Sequence, residues 1–248
     1  MKVFQAQSFH KAHMIFLLYL YRYLEIHWLH TQDTCSFCCS IRWRSSIIYA
    51  YLILNSKGEK EFLQYAIKHS FIVEKLIGLD KKFDLISGNA GATQIMLMLY
   101  EVTRDKKYIH IAETAVTKLE ENAKRQVVGI GWQVEDEILP MSGMAYGNSG
   151  MLMSILKLWK ITQKEKYEQL AEQVWTYENY LYDSEKQNWK DMRAKEDEIV
   201  GVGAMAWCHG AREILLSRIR ILQFLDDDKR KKRLWGDIEK AYEVTKQN

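Results

Sequence analysis

The sequence carries two groups of residues whose types suit metal binding or proton transfer. The first is Cys35, Cys38 and Cys39, which stand in CxxCC spacing. That chemistry would be half of a zinc site, because CxxC spacing places two thiolates around one metal ion. No second Cys/His pair of the usual spacing follows, so we favour three unpaired thiols in a turn over a zinc half-site.

The second group lies just before or within three glycine turns. In chain order the turns carry Asp84 and Ser87, then Ser142, Tyr146 and Asn148, then Trp207, Cys208 and His209. These residues form one site only if the three turns meet in space. Whether they meet depends on the elements that the turns begin.

Internal repetition organises those elements. Residues 88–112 and 147–171 align without a gap at an offset of 59 residues, and both begin Gly-Asn-x-Gly. A third copy begins at Gly210, with Glu213 in the place of the second glycine, and a weaker copy covers residues 46–66. Repeats of this length indicate one supersecondary unit each.

Each copy predicts two helices. The first is apolar nearly all round and must be buried on most sides, as in Ile95, Met96, Leu97, Met98, Leu99 and Val102. The glycines of the preceding turn allow backbones to approach closely. The second helix is apolar on one face at spacings of three and four: Tyr108, Ile111, Ala112, Ala115, Val116 and Leu119 in one copy, and Tyr167, Leu170, Ala171, Val174 and Trp175 in the next.

Helix pairs of this kind stack side by side. With the fully apolar helices inside the curve, the stack is an α/α toroid or an open arc of one. The sequence therefore predicts an all-α fold, an incomplete toroid of about four inner and outer helix hairpins. The glycine turns lie at the same end of every inner helix and are predicted to converge on one mouth. Residues 127–132 and 187–193 are predicted to form loops on the rim.

Composition limits the function. One proline and 13 glycines in 248 residues argue against a sandwich or barrel with many tight turns. A net charge of +3 is too close to neutral to indicate nucleic-acid binding. Four cysteines in a chain of this length favour a reducing, cytoplasmic compartment. The apolar stretch 14–29 contains Arg22 and Glu25 and is shorter than the roughly 20 residues of a spanning helix, so no membrane span is predicted.

The three turns also carry a resemblance. DLISGNAG (84–91), GMAYGNSG (143–150) and AWCHGA (206–211), in this order and spacing, resemble the lanthionine synthetase C-like cyclases. They are most similar to the cyclase portion of class II lanthipeptide synthetases. The similarity extends over roughly residues 46–245, whereas residues 1–45 do not resemble the family. We therefore divide the chain into an aberrant N-terminal segment, 1–45, and a partial cyclase domain, 46–248.

The resemblance implies a toroid whose mouth holds a catalytic Zn²⁺. Such enzymes add a cysteine thiol of a precursor peptide to a dehydroalanine or dehydrobutyrine and so close a thioether ring. Cys208 matches the family's first zinc cysteine, and His209 would line the site beside it. Asp84 matches an acidic residue near the site, and Tyr146 stands where the family usually has histidine. The resemblance thus implies Cys208 as the metal ligand and Tyr146, Asp84 and His209 as the catalytic residues.

The chain departs from the family pattern at three points. Tyrosine has a reference pKa of about 10 against about 6.5 for histidine, so Tyr146 donates a proton but is a poor base. The family completes its zinc site with a Cys-His-Gly pair in the next repeat, and this chain ends before one. The alternative is that Cys208 and His209 are themselves that pair, but then the first cysteine is missing upstream, and we favour the first assignment. Arg212 and Glu213 replace a usual Pro-Gly, which puts the close packing of that inner helix in doubt.

Three functions follow as hypotheses. The first is a partial, zinc-dependent lanthipeptide cyclase, impaired or inactive alone, which binds a precursor peptide and needs a partner fragment with the missing repeats. The alternative is a non-catalytic remnant or peptide-binding α/α scaffold. A toroid glycosidase ranks last, because that chemistry needs two facing carboxylates and the turns offer only Asp84.

Overall fold

Helices dominate the structure and pair in the order that the repeats predict. The structure is a computed structural model that describes residues 41–133, 139–190, 192 and 210–246. Its helices are α1 (Ile41–Ser56), α2 (Phe62–Leu76), α3 (Asn89–Thr103), α4 (Lys107–Asn122), α5 (Asn148–Thr162), α6 (Glu165–Tyr180), α7 (Ala211–Leu222) and α8 (Asp228–Lys246). A short 3-10 helix, Ile77–Leu79, follows α2.

The helices form two layers. The odd-numbered helices pack in series, α1 on α3, α3 on α5 and α5 on α7, and each also packs against the even-numbered helix that follows it. The four hairpins of the described residues therefore have an inner and an outer layer. The predicted all-α, toroid-like fold is confirmed. Within the described residues, every helix is too short or too polar to cross a membrane.

The burial of each layer follows its apolar pattern. On inner helix α3, Met96, Leu97 and Leu99 have no exposed surface. Val102, in the last turn of that helix, is 45% exposed, so the burial predicted for this helix does not extend to this residue. The outer helices bury only one face, which holds every predicted core residue: Tyr108, Ile111, Ala112, Ala115, Val116, Leu119, Tyr167, Leu170, Ala171, Val174 and Trp175.

The two best-matched repeats also end their inner helices alike. Arg104 after α3 and Gln163 after α5 are equivalent residues, and both adopt the left-handed conformation, with φ of 61° and 55°. Each donates its backbone N–H to a carbonyl in the last turn, that of Tyr100 or Trp159. Such a left-handed residue is a common way to stop a helix and satisfy its last carbonyls. The repeat in sequence is therefore a repeat in backbone geometry.

Two small antiparallel hairpins occupy the longer linkers. Their strands are β1 (Lys124–Arg125) with β2 (Ile130–Gly131), and β3 (Tyr182–Asp183) with β4 (Asn188–Trp189). Each anchors a tryptophan: Trp132 donates its indole N–H to the carbonyl of Leu119 at 2.8 Å, and Trp189 packs edge-on against Tyr182. The linkers are non-helical as predicted, but in the described residues they are short hairpins rather than plain loops.

Close backbone approach explains the second glycine of each turn. A Cβ atom on Gly91 would lie 2.2 Å from the carbonyl oxygen of Leu85, and one on Gly150 would lie 2.2 Å from that of Met144. The Cβ on Gly150 would also lie 2.9 Å from the Cβ of Leu85, which belongs to the preceding turn. The glycines therefore let each helix begin against its own turn, and Gly150 also lets adjacent turns touch.

A buried ionic cluster joins the last two hairpins. Arg218 on α7 is fully buried and donates to Glu178 on α6 at 2.6 Å and to Asp237 on α8 at 2.9 Å. Asp237 also accepts the indole N–H of Trp175 at 2.8 Å, and Glu178 accepts the hydroxyl of Ser149 at 2.5 Å. Buried charges of this kind are tolerated only when they are paired and hydrogen-bonded.

The glycine contact predicts a measurable cost. Gly150→Ala should destabilise the fold by about 1–3 kcal/mol, because its methyl group would overlap Met144 and Leu85. Gly236→Ala is the matched control. Gly236 lies within α8 and nothing lies near the position that a Cβ atom would take, so alanine should raise the free energy of unfolding by up to about 1 kcal/mol. Urea unfolding of both variants measures the difference. Equal stabilities would contradict the close approach.

The ionic cluster gives a second prediction. Arg218→Met leaves the carboxylates of Glu178 and Asp237 buried without their cation, and should lower the free energy of unfolding by about 3–5 kcal/mol. Arg220→Met, on the exposed side of the same helix, should change it by less than about 0.5 kcal/mol. Thermal unfolding of the two variants makes the comparison, and an unchanged midpoint for Arg218→Met would refute the role of the cluster.

Candidate functional site

The first glycine turn is closed by the side chain of Asp84. This carboxylate is 1% exposed, and its Oδ1 atom accepts the backbone N–H groups of Ile86 at 2.8 Å and Ser87 at 2.6 Å. Short aspartate side chains commonly accept backbone amides a few residues ahead in this way. Asp84 therefore fixes the shape of the turn that precedes α3.

A second carboxylate, missed by the sequence analysis, holds the start of α3. Asp80 accepts the backbone N–H of Asn89, the first residue of the helix, at 2.7 Å, and that of Phe83 at 3.2 Å. It does the work of a helix cap from nine residues upstream. The usual capping spacing of two or three residues gives no signal for it.

Burial tunes the acidity of Asp84. It raises the pKa of this carboxyl from 3.8 to about 6, and the nearby carboxylate of Asp80 raises it further. The amides of Ser87 and Ile86 lower the pKa but do not offset the burial. A carboxyl with a pKa near 6 can hold or release a proton close to neutral pH, as a general acid or base must.

The second turn, 143–147, carries Tyr146, which is half-buried. Glycine, with φ of 107°, occupies position 143, the equivalent of Asp84, so this turn has no carboxylate there. Two carboxylates from outside accept its amides instead. Oε2 of Glu213 accepts those of Met144 at 2.6 Å and Ala145 at 2.5 Å, and Oε1 of Glu178 accepts that of Gly143 at 3.3 Å.

Glu213 itself stands where the two preceding repeats have their second glycine, Gly91 and Gly150. From sequence, this change puts the close packing of the inner helix α7 in doubt. In the structure Glu213 is 5% exposed, and α7 packs against α5 with the carboxylate turned onto the second turn. Burial raises the pKa of Glu213, and its two backbone donors oppose that rise.

The asparagine of each Gly-Asn pair anchors the head of its helix. Asn89 donates its side-chain amide to the carbonyl of Ile77 at 3.2 Å, and Asn148 donates to that of Ile130 at 3.0 Å. Both partners lie in the segment that follows the preceding outer helix. Asn148, which the sequence analysis placed at the mouth, is thus a structural anchor.

The turns that carry Asp84 and Tyr146 are neighbours, since Gly150 of the second abuts Leu85 of the first. The head of α7 joins them through Glu213. Cys208, His209 and Trp207 lie outside the described residues, as do Cys35, Cys38 and Cys39. In sequence, Cys208 and His209 stand immediately before Gly210, the residue that precedes α7.

Zinc binding depends on donor side chains that lie close enough together to share one ion. In the part of the chain that the structure describes, no group of three or more His, Cys, Asp or Glu side chains is placed to hold a metal ion. Asp84 and Glu213 are occupied with backbone amides. A thiol and an imidazole, as in Cys208 and His209, are donors of the type that zinc prefers, but a catalytic zinc takes three protein ligands. The described residues do not supply the rest of that set.

Comparison with known proteins adds three findings. The family model described as "Lanthionine synthetase C-like protein" matches residues 19–248. This match begins upstream of residue 46, where the sequence analysis placed the start of the cyclase domain. No curated protein matches the sequence significantly.

Two solved structures share the fold. The Lin0763 protein from Listeria innocua is 10% identical, with a TM-score of 0.58 over 84% of this chain and 59% of that one. A sugar epimerase from a ruminal bacterium is 16% identical, with a TM-score of 0.56 over 83% of this chain and 60% of that one. The likeness shows the fold alone. The chain spans about 60% of the length of these structures.

The acidity of Asp84 predicts a dependence of stability on pH. Because its pKa is higher in the folded state, its contribution is largest below about pH 4 and is lost as the pH rises through about 6. Asp84→Asn keeps an acceptor oxygen but cannot titrate. The variant should therefore lose less stability over this window, by up to about 3 kcal/mol.

Urea unfolding at several pH values measures this effect. Asp105→Asn is the control, because Asp105 is an exposed carboxylate whose pKa is lowered by hydrogen bonds from Lys107. This control should retain the fall in stability of the wild type. A profile for Asp84→Asn parallel to the wild type would contradict the raised pKa.

Proposed function

Because the chain belongs to the lanthionine synthetase C-like family, we propose that it is part of a cyclase that closes thioether rings in a peptide. The observation that carries the proposal is the family match over residues 19–248. The placement of Asp84 and Tyr146 on adjacent inner-helix turns supports it. So does the position of Cys208 and His209 directly before the next inner helix, α7.

The substrate in this proposal is a precursor peptide that holds a cysteine and a dehydroalanine or dehydrobutyrine. The cysteine sulfur forms a bond to the β-carbon of the dehydro residue, whose double bond opens. The thiol proton is released and one proton is added at the α-carbon, so the reaction is an isomerisation. It needs a free thiol, which places it in a reducing compartment such as the cytoplasm.

Cys208 is the proposed zinc ligand, with His209 beside it. The metal would stabilise the thiolate form of the substrate cysteine, which is the nucleophile. Since one or two ligands rarely hold zinc in a protein, we propose that a partner fragment with a further repeat completes the set. The chain alone is then a weak or inactive cyclase.

Tyr146 and Asp84 supply the proton chemistry. The phenol of Tyr146 would deliver the proton that the α-carbon gains. Asp84, with its pKa near 6, would take up a proton near neutral pH, provided that the turn can release it from its amides. Histidine at position 146 would be better matched to neutral pH than tyrosine.

A second candidate function is a peptide-binding scaffold without catalysis. Two observations favour it: Tyr146 replaces the histidine expected from the family, and both turn carboxylates are engaged with backbone amides. In this case the chain binds the precursor peptide and leaves it linear.

Zinc content and ring closure separate these candidates. The chain is purified with and without a fragment that carries a Cys-His-Gly repeat, and zinc is measured by elemental analysis. A dehydrated precursor peptide is then added. Because cyclisation leaves the mass unchanged, ring closure is scored as loss of thiol alkylation. We expect zinc and ring closure with the fragment present, and both should be lost in Cys208→Ala.

Matched variants assign the roles. The triple variant Cys35→Ser, Cys38→Ser, Cys39→Ser should keep zinc and activity, which excludes metal bound by the CxxCC segment. Tyr146→Phe should keep zinc and lose about 10²-fold in rate, the usual contribution of a general acid. Tyr146→His should raise the rate at neutral pH. Bound peptide without zinc or ring closure, even with the fragment, would replace the cyclase with the scaffold.

A further inference from the structure

We infer that Glu213 is a positioning residue that holds the Tyr146 turn, so that the next inner helix, α7, sets the geometry of the site. The inference deepens the proposed function and rests on it for the role of Tyr146.

The first turn is held from within. Asp84 accepts the amides of Ile86 and Ser87. At the repeat offset of 59 residues, Asp84 corresponds to Gly143 and Ile86 to Ala145. Glycine has no side chain to accept an amide, so the Tyr146 turn lacks the tether that closes its counterpart.

Glu213 supplies the missing acceptor from another hairpin. It accepts the amide of Ala145, the counterpart of Ile86, at 2.5 Å, and that of Met144 at 2.6 Å. Its own position is a glycine in the two preceding repeats, Gly91 and Gly150. Glutamate in place of glycine at position 213 therefore provides a carboxylate for the Tyr146 turn, which has no counterpart of Asp84.

The tether acts next to the proposed proton donor. Ala145 immediately precedes Tyr146, so the two bonds to Glu213 fix the backbone from which the phenol projects. Both bonds are short and made to a carboxylate, the kind of hydrogen bond that contributes most, and the one from Ala145 is buried. The bond from Gly143 to Glu178 is longer, at 3.3 Å. Of the two carboxylates that accept amides of this turn, Glu213 therefore makes the closer bonds.

Amide hydrogen exchange tests the tether without any need for activity. In Glu213→Gln, the amides of Met144 and Ala145 should exchange about tenfold faster or more, as expected from the loss of a charged acceptor. The amides of Ile86 and Ser87 should not change. The matched control is Asp84→Asn, which should show the reverse pattern. The amide of Leu97, in the middle of α3, reports global unfolding, and the acceleration at the affected turn amides should exceed any change at Leu97 in both variants.

A second readout follows Tyr146 itself. With ¹³C-labelled tyrosine, and Tyr146→Phe to assign the signal, the chemical shift of Tyr146 should move in Glu213→Gln and in Glu213→Ala. In the cyclisation assay the same variants should lower kcat by about tenfold or more with KM unchanged, because the donor is misplaced while peptide binding is kept.

Two results would overturn the inference. One is equal acceleration at Met144, Ala145 and Leu97, which would mean that Glu213 only stabilises the whole fold. The other is unchanged exchange at Met144 and Ala145. If the wild-type chain closes no ring under any condition, the proposed function fails, whereas altered exchange confined to the Tyr146 turn would still establish the tether.

Discussion

Buried backbone amides at the heads of the inner helices must find acceptors, and the rest of the structure is arranged around that need. The first N–H groups of a helix have no partner within it, and burial removes water as a substitute. Here the helix heads also lie against their own turns, because Gly91 and Gly150 bring the backbones together. Turn carbonyls accept helix-head amides such as those of Gly91 and Ser149. Side-chain carboxylates accept the amide of Asn89 and the amides of the turns themselves.

Burying a charged carboxylate costs free energy, and the surroundings of each carboxylate offset that cost differently. Glu178 is neutralised by the buried cation of Arg218. Asp84 accepts the amides of Ile86 and Ser87, which lower its pKa, but burial outweighs them and raises the pKa to about 6. The same burial that makes Asp84 a good structural cap therefore also gives it an acidity suited to proton transfer. The two roles compete, because a carboxylate bound to two amides must give up part of that bonding to react.

The sequence predicts the hairpins well because their signal is local and repeated. Gly-Asn-x-Gly followed by an apolar helix marks α3 and α5, and the three-and-four spacing of residues such as Tyr108 and Leu119 marks the buried faces of the outer helices. The site is less accessible to such reasoning. Asp80 caps a helix that begins nine residues later, and Glu213 caps a turn about 70 residues earlier, so neither follows from local spacing. A charged residue such as Arg218 within an apolar inner helix is a usable signal, but it does not reveal its partners.

Glu213 stands where the two preceding repeats have glycine, and α7 nevertheless packs against α5. From sequence, glutamate in place of glycine at this position weakens the packing of the fourth hairpin. In the structure, its side chain links that hairpin to the Tyr146 turn through two hydrogen bonds. Arg218, on the same helix, binds Glu178, which accepts the amide of Gly143, while Glu213 accepts the next two amides. Three consecutive amides of the turn are thus governed by side chains of α7, directly or through one ion pair. A displacement of α7 would therefore shift the backbone next to Tyr146, because this turn has no carboxylate of its own in the place of Asp84.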